Sequence, residues 1–274
     1  MRVLHVWDQA GTGSLMAKYQ REAMHYQRSA VIQDQKHDYL GTTKYYNNFL
    51  YSKLPFLLHS LTASRLYDII HLHDSYFMIL PLRLLYPKKK IIIHYHGTLI
   101  RSNKLGNFRF FLERFVNKIL VATPDLLEYK YRTPPLYVPD PIDVKLFHKR
   151  TIPQNQRAFT LLKFDQDERK LRRKLIDMGY GFHLEAQGRL RGYSNGIPYK
   201  DFDKKLAQYE YFIDIPMYDN KIIKANSCAG LQAMNMGLKV VCHDGTVKDS
   251  MPTVHEPYSV VLLLDRIYRE IKKG

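Results

Sequence analysis

Only two cysteines, Cys228 and Cys242, occur in 274 residues, one read at a helix start and the other at a strand end. That excludes a disulfide framework and fits a reduced, cytoplasmic protein. No apolar run approaches the roughly 20 residues that span a bilayer. Residues 1–9, "MRVLHVWDQ", show no basic region followed by a long apolar stretch, so no signal peptide is expected. Carboxylates are scarce: 26 Asp plus Glu face 42 Lys plus Arg, a net charge of +16. Such an excess favours nucleic acid, phosphate-bearing small molecules or an acidic membrane surface, without choosing among them. Low-complexity segments are missing too. What is present is core material, 45% hydrophobic and 13% aromatic residues, which excludes a disordered chain. The length suits two domains at ~150 residues each.

The pattern alternates. Strands are predicted over 3–7, 30–33, 68–72, 88–97, 118–122 and 136–138, and helices over 15–27 and 77–85. Phe108, Phe111, Leu112, Phe115 and Ile119 recur at helical spacing. Residues 140–157, "DPIDVKLFHKRTIPQNQR", are rich in proline and polar groups and read as a linker. The alternation then restarts, with strands over 158–164, 181–185, 211–215 and 238–241 and helices over 167–178, 201–209 and 229–236. An amphipathic helix closes the chain over 256–273. Repeated strand–helix units with short connections argue for parallel sheets covered by helices. The expected division is 1–149, 150–255 and a helix over 256–274 that packs back on the first domain.

Ligands of open α/β sheets sit at the carboxyl ends of the strands. In "WDQAGTGSL", Gly11 and Gly13 would let backbone approach a ligand, with Ser14 next at the helix start. A dinucleotide fingerprint needs a third glycine where Met16 stands, although Asp34 is well spaced for a ribose contact. In "HLHDSY" and "HYHGT", alternation sends His71 and His73 to one face, and His94 and His96 likewise. The spacing fits no standard zinc pattern, and no metal is expected. His71 and His94 read as core histidines; His73, Asp74 and His96 lie nearest the strand ends. In "LLKFDQDERK", Lys163 ends a strand and Arg169 opens a helix, a pair suited to a diphosphate. Lys170, Arg172 and Arg173 read as a solvated face.

"NSCAGLQAMNMGLKVV", 226–241, reads as a helix capped by Asn226 or Ser227, stopped by Gly237 and followed by a buried strand. Its first turn has no carboxylate although a helix start attracts one, and Lys224 stands just upstream. An anionic ligand is therefore expected at this start.

Together these stretches resemble the retaining glycosyltransferases of the GT-B fold, family four above all. "DIIHLHD" is similar to the family's "DIVHVHD", and "IIIHYHGT" to "VVTIHG". "LYVPDPIDVKLF" resembles "VIPNGVDxxxF", "IPYKDFDKKLAQYEYFIDIP" resembles "VPxxELPxLYAxADVFVLPS", and "GLQAMNMGLKVV" resembles "LLEAMACGLPVV". The matches keep the family's order over nearly the whole chain. Two departures stand out. The family's paired glutamates fall on Lys224 and Gln232, and its Arg-then-Lys diphosphate pair falls on Lys163 and Arg169 with the types exchanged.

The resemblance implies two Rossmann-like domains facing a cleft, and transfer of a sugar from a nucleoside diphosphate sugar without a cofactor. It places the donor on Gly13, Ser14, Lys163, Arg169, Tyr199, Lys224, Ser227, Cys228, Ala229, Gly230, Leu231 and Gln232. His96 would stand by the donor sugar as a charge-stabilising catalytic group, with His73 and Asp74 towards the acceptor. The acceptor stays open among glycan, lipid and protein. Three rival readings stand beside it: a non-catalytic nucleotide-sugar binder, motivated by the missing glutamates; a nucleic-acid binder, disfavoured because the basic residues are spread out; and a transferase touching anionic membrane through residues 99–115.

Overall fold

The computed structural model describes every residue except 39, 40, 104, 163–167, 189–196, 219 and 220. Its contacts divide the chain into two units, Met1–Pro141 with Val254–Gly274, and Ile142–Thr253.

The first unit is built on seven strands: β1 (Arg2–Val6), β2 (Arg28–Asp34), β3 (Phe49–Tyr51), β4 (Ile69–His73), β5 (Lys90–Tyr95), β6 (Lys118–Val121) and β7 (Leu136–Tyr137). They are parallel throughout, in the order β3-β2-β1-β4-β5-β6-β7. This is the Rossmann order, with its reversal between β1 and β4. The helices are α1 (Thr12–Glu22), α2 (Thr42–Tyr45), α3 (Lys53–Ser64), α4 (Ile79–Leu85), α5 (Thr98–Ser102) and α6 (Gly106–Leu112). Central strands are largely apolar, as burial on both faces requires; Ile91, Ile92 and Ile93 are all fully buried. One face carries Leu4, Ile70, Ile93 and Val121 under Phe56 and Leu82. The other carries Val3, Ile69 and Ile92 under Met16 and the last helix of the chain.

The second unit holds β8 (Arg157–Leu162), α7 (Glu168–Asp177), β9 (His183–Gly188), α8 (Tyr199–Leu206), β10 (Tyr211–Asp214), β11 (Met217–Tyr218), β12 (Lys221–Ile222), α9 (Cys228–Met236), β13 (Lys239–Cys242) and β14 (Val247–Lys248). Its sheet runs β14-β13-β10-β8-β9, parallel except for β14, and β11 with β12 forms a small antiparallel ribbon.

The segment read as a linker is packed structure. Ile142, Asp143 and Phe147 are buried, Asp143 accepts from the N–H groups of Lys145 and Leu146, and Phe147 meets Phe202 edge to face. Prolines and charges disguised it, because its apolar residues follow neither a helical nor a strand period.

The closing helix, α10 (Pro257–Lys273), belongs to the first unit. Val260, Leu264, Ile267 and Tyr268 pack into the core beside Met16. Tyr26 donates to Asp265 at 2.7 Å and Tyr268 meets His71 at 2.6 Å. Among the described residues no helix is long and apolar enough to cross a membrane. Both cysteines are free thiols.

Candidate functional site

Strand register assembles the centre of the first unit. His5 lies opposite His71, and His73 opposite His94. Parallel pairing points opposite residues to the same face, and alternation carries His96 along with them. Five imidazoles therefore stack beneath α1 and α10, with neighbouring ring centroids between 4.5 Å (His71–His73, His94–His96) and 5.7 Å (His73–His94).

Hydrogen bonds fix their protons. His94 Nε2 must donate to the Val138 carbonyl, 3.0 Å away, because a carbonyl only accepts. Its Nδ1 then accepts from His71 Nε2 at 3.3 Å, and His71 Nδ1 accepts from the Tyr268 hydroxyl. Both rings are neutral, as expected of core histidines. The second branch ends on Gln20, whose amide oxygen accepts from the Ser29 hydroxyl at 2.6 Å and faces His5 Nε2 at 3.0 Å. His5 thus donates through Nε2 and accepts through Nδ1 from His73 Nε2, 2.9 Å away. His73 Nδ1 in turn accepts from His96 Nε2 at 2.9 Å. His96 Nδ1 stands 3.0 Å from Asp140 Oδ1. A lone pair there would face a carboxylate, so His96 carries protons on both nitrogens. The ladder holds one positive charge, at its outer end, against Asp140.

The electrostatics agree. Burial drives His5 down to about 4 and His94 to about 3, and pushes His71 and His73 well below the usual histidine range. Burial also opposes the charge on His96, but Asp140, Asp74 and Asp8 together raise its pKa. Asp140 is lowered: burial works against its charge, and His96 outweighs it.

Several expected contacts are otherwise engaged. The His96 side chain is only 2% exposed, with both nitrogens directed inward. His73 is fully buried inside the ladder, so it offers no acceptor a surface. Asp74, at φ 50, accepts from the His96 N–H at 3.2 Å. A Cβ on Gly13 would come 3.3 Å from Asp8 Oδ1, His73 Nε2 and the Trp7 carbonyl, so this glycine admits protein atoms where a donor was expected. Ser14 is buried, giving its N–H and hydroxyl to Asp8. Asp34, spaced for a ribose, accepts from the Lys36 N–H and lies 3.1 Å from His37. In α6, Phe108 and Phe111 are exposed, but Arg109 turns inward to Glu113 at 3.0 Å.

In the second unit α9 starts at Cys228, with Ser227 as its cap; the Ser227 hydroxyl accepts from the Gly230 N–H at 3.1 Å. The first turn itself has no acid, yet the start is not without one. Asp214, at the end of β10, accepts from the Ser227 N–H at 2.9 Å and from Asn226 Nδ2 at 3.0 Å. A carboxylate 13 residues upstream thus partly compensates the helix dipole, which local sequence could not reveal. Gly230 makes room for it: a Cβ there would lie 2.1 Å from Asp214 Oδ2. Gly230→Ala is therefore expected to cost the second unit about 1–3 kcal/mol, since Asp214 is tied from two sides. Urea unfolding followed by circular dichroism checks this; an unchanged midpoint would refute it.

Around that start, Cys228 and Ala229 are half-buried, Leu231 and Gln232 buried, and Lys224 exposed. Arg169 is exposed on the first turn of α7, while Lys163 lies outside the described residues. Tyr199, a candidate nucleobase cover, is 8% exposed and meets the Phe147 ring edge to face at 5.7 Å. It is a core residue, because the DPIDVKLF segment packs onto it.

Sequence reading missed His5, Gln20, Asp140 and Tyr268. His5 was findable: it is a polar residue inside an apolar strand, like His71 and His94. The others required the tertiary fold.

No family model and no curated protein sequence matches the chain. Solved structures do. An alpha-glucosyltransferase in complex with UDP-glucose and DNA containing an abasic site superposes with TM-score 0.56 at 11% identity, over 99% of this chain and 92% of its own. The UDP-GlcNAc 2-epimerase from Methanocaldococcus jannaschii gives 0.52 at 9% identity over all of both chains. That from Neisseria meningitidis, bound to UDP-GlcNAc, gives 0.50 at 10% identity, over 99% and 93%. The fold is GT-B, two Rossmann-like units in one chain.

Proposed function

We propose that the protein is a glycosyltransferase that moves a sugar from a nucleoside diphosphate sugar to an acceptor hydroxyl, with retention and without a metal. The observation that carries this reading is α9. In the second unit of a GT-B chain, a helix start whose half-buried first residues are Cys228 and Ala229 follows the carboxyl end of β10. Small residues there let a diphosphate approach backbone N–H groups. Arg169 and Lys163 supply the charge that the helix, partly compensated by Asp214, does not. Gln232 takes the ribose through a neutral amide, and Lys224 biases the sugar site towards anionic groups.

In the reaction, the bond between the anomeric carbon and the diphosphate oxygen breaks. The acceptor oxygen bonds to the same face, and its proton passes to the departing diphosphate. Cations and helix N–H groups stabilise that leaving group. His96 is a positioning residue: its buried charge acts through the field at the end of β5, not by contact. Metal independence draws support from the histidines, whose ring nitrogens are directed at one another, Gln20, Tyr268, Val138 and Asp140. They include two triads with ring nitrogens within 4.8 Å of one another, a spacing a metal could use only by breaking that network.

A second reading, nucleotide-sugar epimerase, is favoured by the fold shared with two 2-epimerases. The two separate in one experiment. UDP-glucose and UDP-GlcNAc are incubated with the protein, free UDP is measured and the sugar's C2 configuration is read by NMR. Transfer or slow hydrolysis releases UDP with C2 unchanged; inversion at C2 would overturn the transferase reading. Binding is checked separately: UDP at 100 times its dissociation constant should add about 2.7 kcal/mol of stability. No thermal shift with any nucleoside diphosphate would remove both readings.

A further inference from the structure

A cavity of about 610 Å³ opens at the carboxyl edge of the first unit's sheet, beyond β1, β2 and β4. Its walls are mostly carbon: Trp7, Phe56, Leu57 and Phe77. Trp7 is the only tryptophan in the chain. It meets Phe56 at 5.7 Å and Phe77 at 6.1 Å, both edge to face, and His37 at 4.5 Å. Phe77 is 39% exposed, so a large apolar ring is held open to the space.

Trp7 stands there at a cost. Its φ is 74, the left-handed region that bulky side chains avoid. The turn is imposed from both sides: the Trp7 N–H donates to the Ile32 carbonyl at 2.9 Å, and the next residue, Asp8, is drawn inward by Ser14 and Thr43. The strain projects the indole out of the core to form a wall of the cavity. Strained residues of this kind gather at ligand clamps.

The rim is charged and unevenly so. Lys36 and Lys53 are exposed on it, whereas Asp34, the only acid lining the cavity among the described residues, is turned to the Lys36 N–H and to His37. Next to this rim, α3 exposes Leu54 and Leu58 at 66% and 55%. An apolar floor under a cationic rim matches a molecule with the reverse arrangement.

We propose that this cavity binds an amphiphilic anion, an alkyl or aryl phosphate, with its apolar group between Trp7 and Phe77 and its phosphate on Lys36 and Lys53. Within the transferase reading, this molecule is the acceptor or its phosphate-bearing carrier. Only that assignment rests on the reading; the binding site does not.

Trp7 reports on the site directly. The full chain is titrated with octyl phosphate below its micellar concentration, phenyl phosphate, octyl glucoside and inorganic phosphate, following tryptophan emission. Saturable change is expected with one or both organic phosphates, and whichever binds tighter identifies a chain or a ring as the apolar group. Octyl glucoside should bind at least tenfold more weakly, and inorganic phosphate should leave emission unchanged. Lys53→Gln should weaken the phosphates about tenfold and leave octyl glucoside unaffected; Phe77→Ala should weaken both. Equal affinity for octyl phosphate and octyl glucoside overturns the anionic specificity. No saturable change with either organic phosphate overturns the site. UDP-induced thermal stabilisation, measured on the same samples, reads the donor site independently, so the failure of one proposal is not the failure of the other.

Discussion

Lowering the pH from 6.5 to 5.5 is expected to destabilise the first unit by several kcal/mol. His5, His71, His73 and His94 are neutral when folded, because burial pushes their pKa values down, His5 to about 4 and His94 to about 3. Unfolding releases them to water, where a histidine protonates near 6.5. Below that point the unfolded chain binds more protons than the folded one, and each histidine removes up to about 1.4 kcal/mol per pH unit. Four acting together approach ~5 kcal/mol per unit at the steepest, against a typical total of about 5–15. The loss runs from 6.5 down to about 4 for His5 and about 3 for His94. His96 does not offset it. Its pKa is raised, so its contribution is already complete below 6.5 and fades only as the pH rises through its folded value. Asp8 and Asp74, raised by burial, act the other way, from their raised folded values down to 3.8. Urea midpoints followed by Trp7 emission from pH 7.5 to 4.5 measure the effect, and His5→Gln should flatten the slope by one histidine's share. A midpoint constant from pH 7 to 5 would show that the ladder is not buried neutral.

The same histidines show how much the sequence disclosed. "HLHD" and "HYHG" announced strands that end in imidazoles, and alternation put each pair on one face. That these faces coincide is a matter of register, which depends on pairing between distant strands. His5 completes the ladder from β1, 66 residues before His71. Asp140 could not be read at all, since nothing local separates a counter-ion from a polar loop residue. The alternation of strands and helices was legible because buried strands read as short apolar runs and most of the helices between them carry a periodic apolar face. Strand β3 and helix α3 were not, because "FLY" is short and the helix carries exposed leucines that blur its apolar face. Both flank the cavity behind Trp7, which is why that feature stayed hidden.

The helix start in the second unit teaches the complementary lesson. Ser227 and Gly237 mark α9 as a capped helix, and the structure places both caps there. The inference that an acid-free first turn awaits an external anion needs amending, because Asp214 arrives from β10. Gly230 carried the clue: a glycine in the first turn of a helix weakens it unless something must come close.

Asp140→Leu is expected to cost about 3–5 kcal/mol, the usual loss when one partner of a buried ion pair is removed. His96 then has two escapes, and both are poor. It can keep donating to His73 through Nε2 and drop its other proton, leaving Nδ1 as a buried acceptor with no donor, at ~1–3 kcal/mol. Otherwise the branch must reverse polarity from His96 back to His5, and Gln20 must present its amide nitrogen where its oxygen now accepts from both Ser29 and His5. Asp140→Asn should behave differently. Its amide keeps a carbonyl oxygen beside Nδ1, so the fold survives, but the neutral partner no longer holds the charge and His96 titrates at a lower pH. Nitrogen NMR of histidine-labelled protein reads this directly: among the ladder histidines at pH 6.5, one imidazolium is expected in the wild type and none in Asp140→Asn. If that charge serves the reaction as proposed, the asparagine variant loses at least tenfold in turnover, ~1.4 kcal/mol of barrier, while UDP affinity stays within about twofold. A neutral His96 in the wild type at pH 6.5, or an Asp140→Leu protein as stable as the wild type, would show that the pair is not the ladder's anchor.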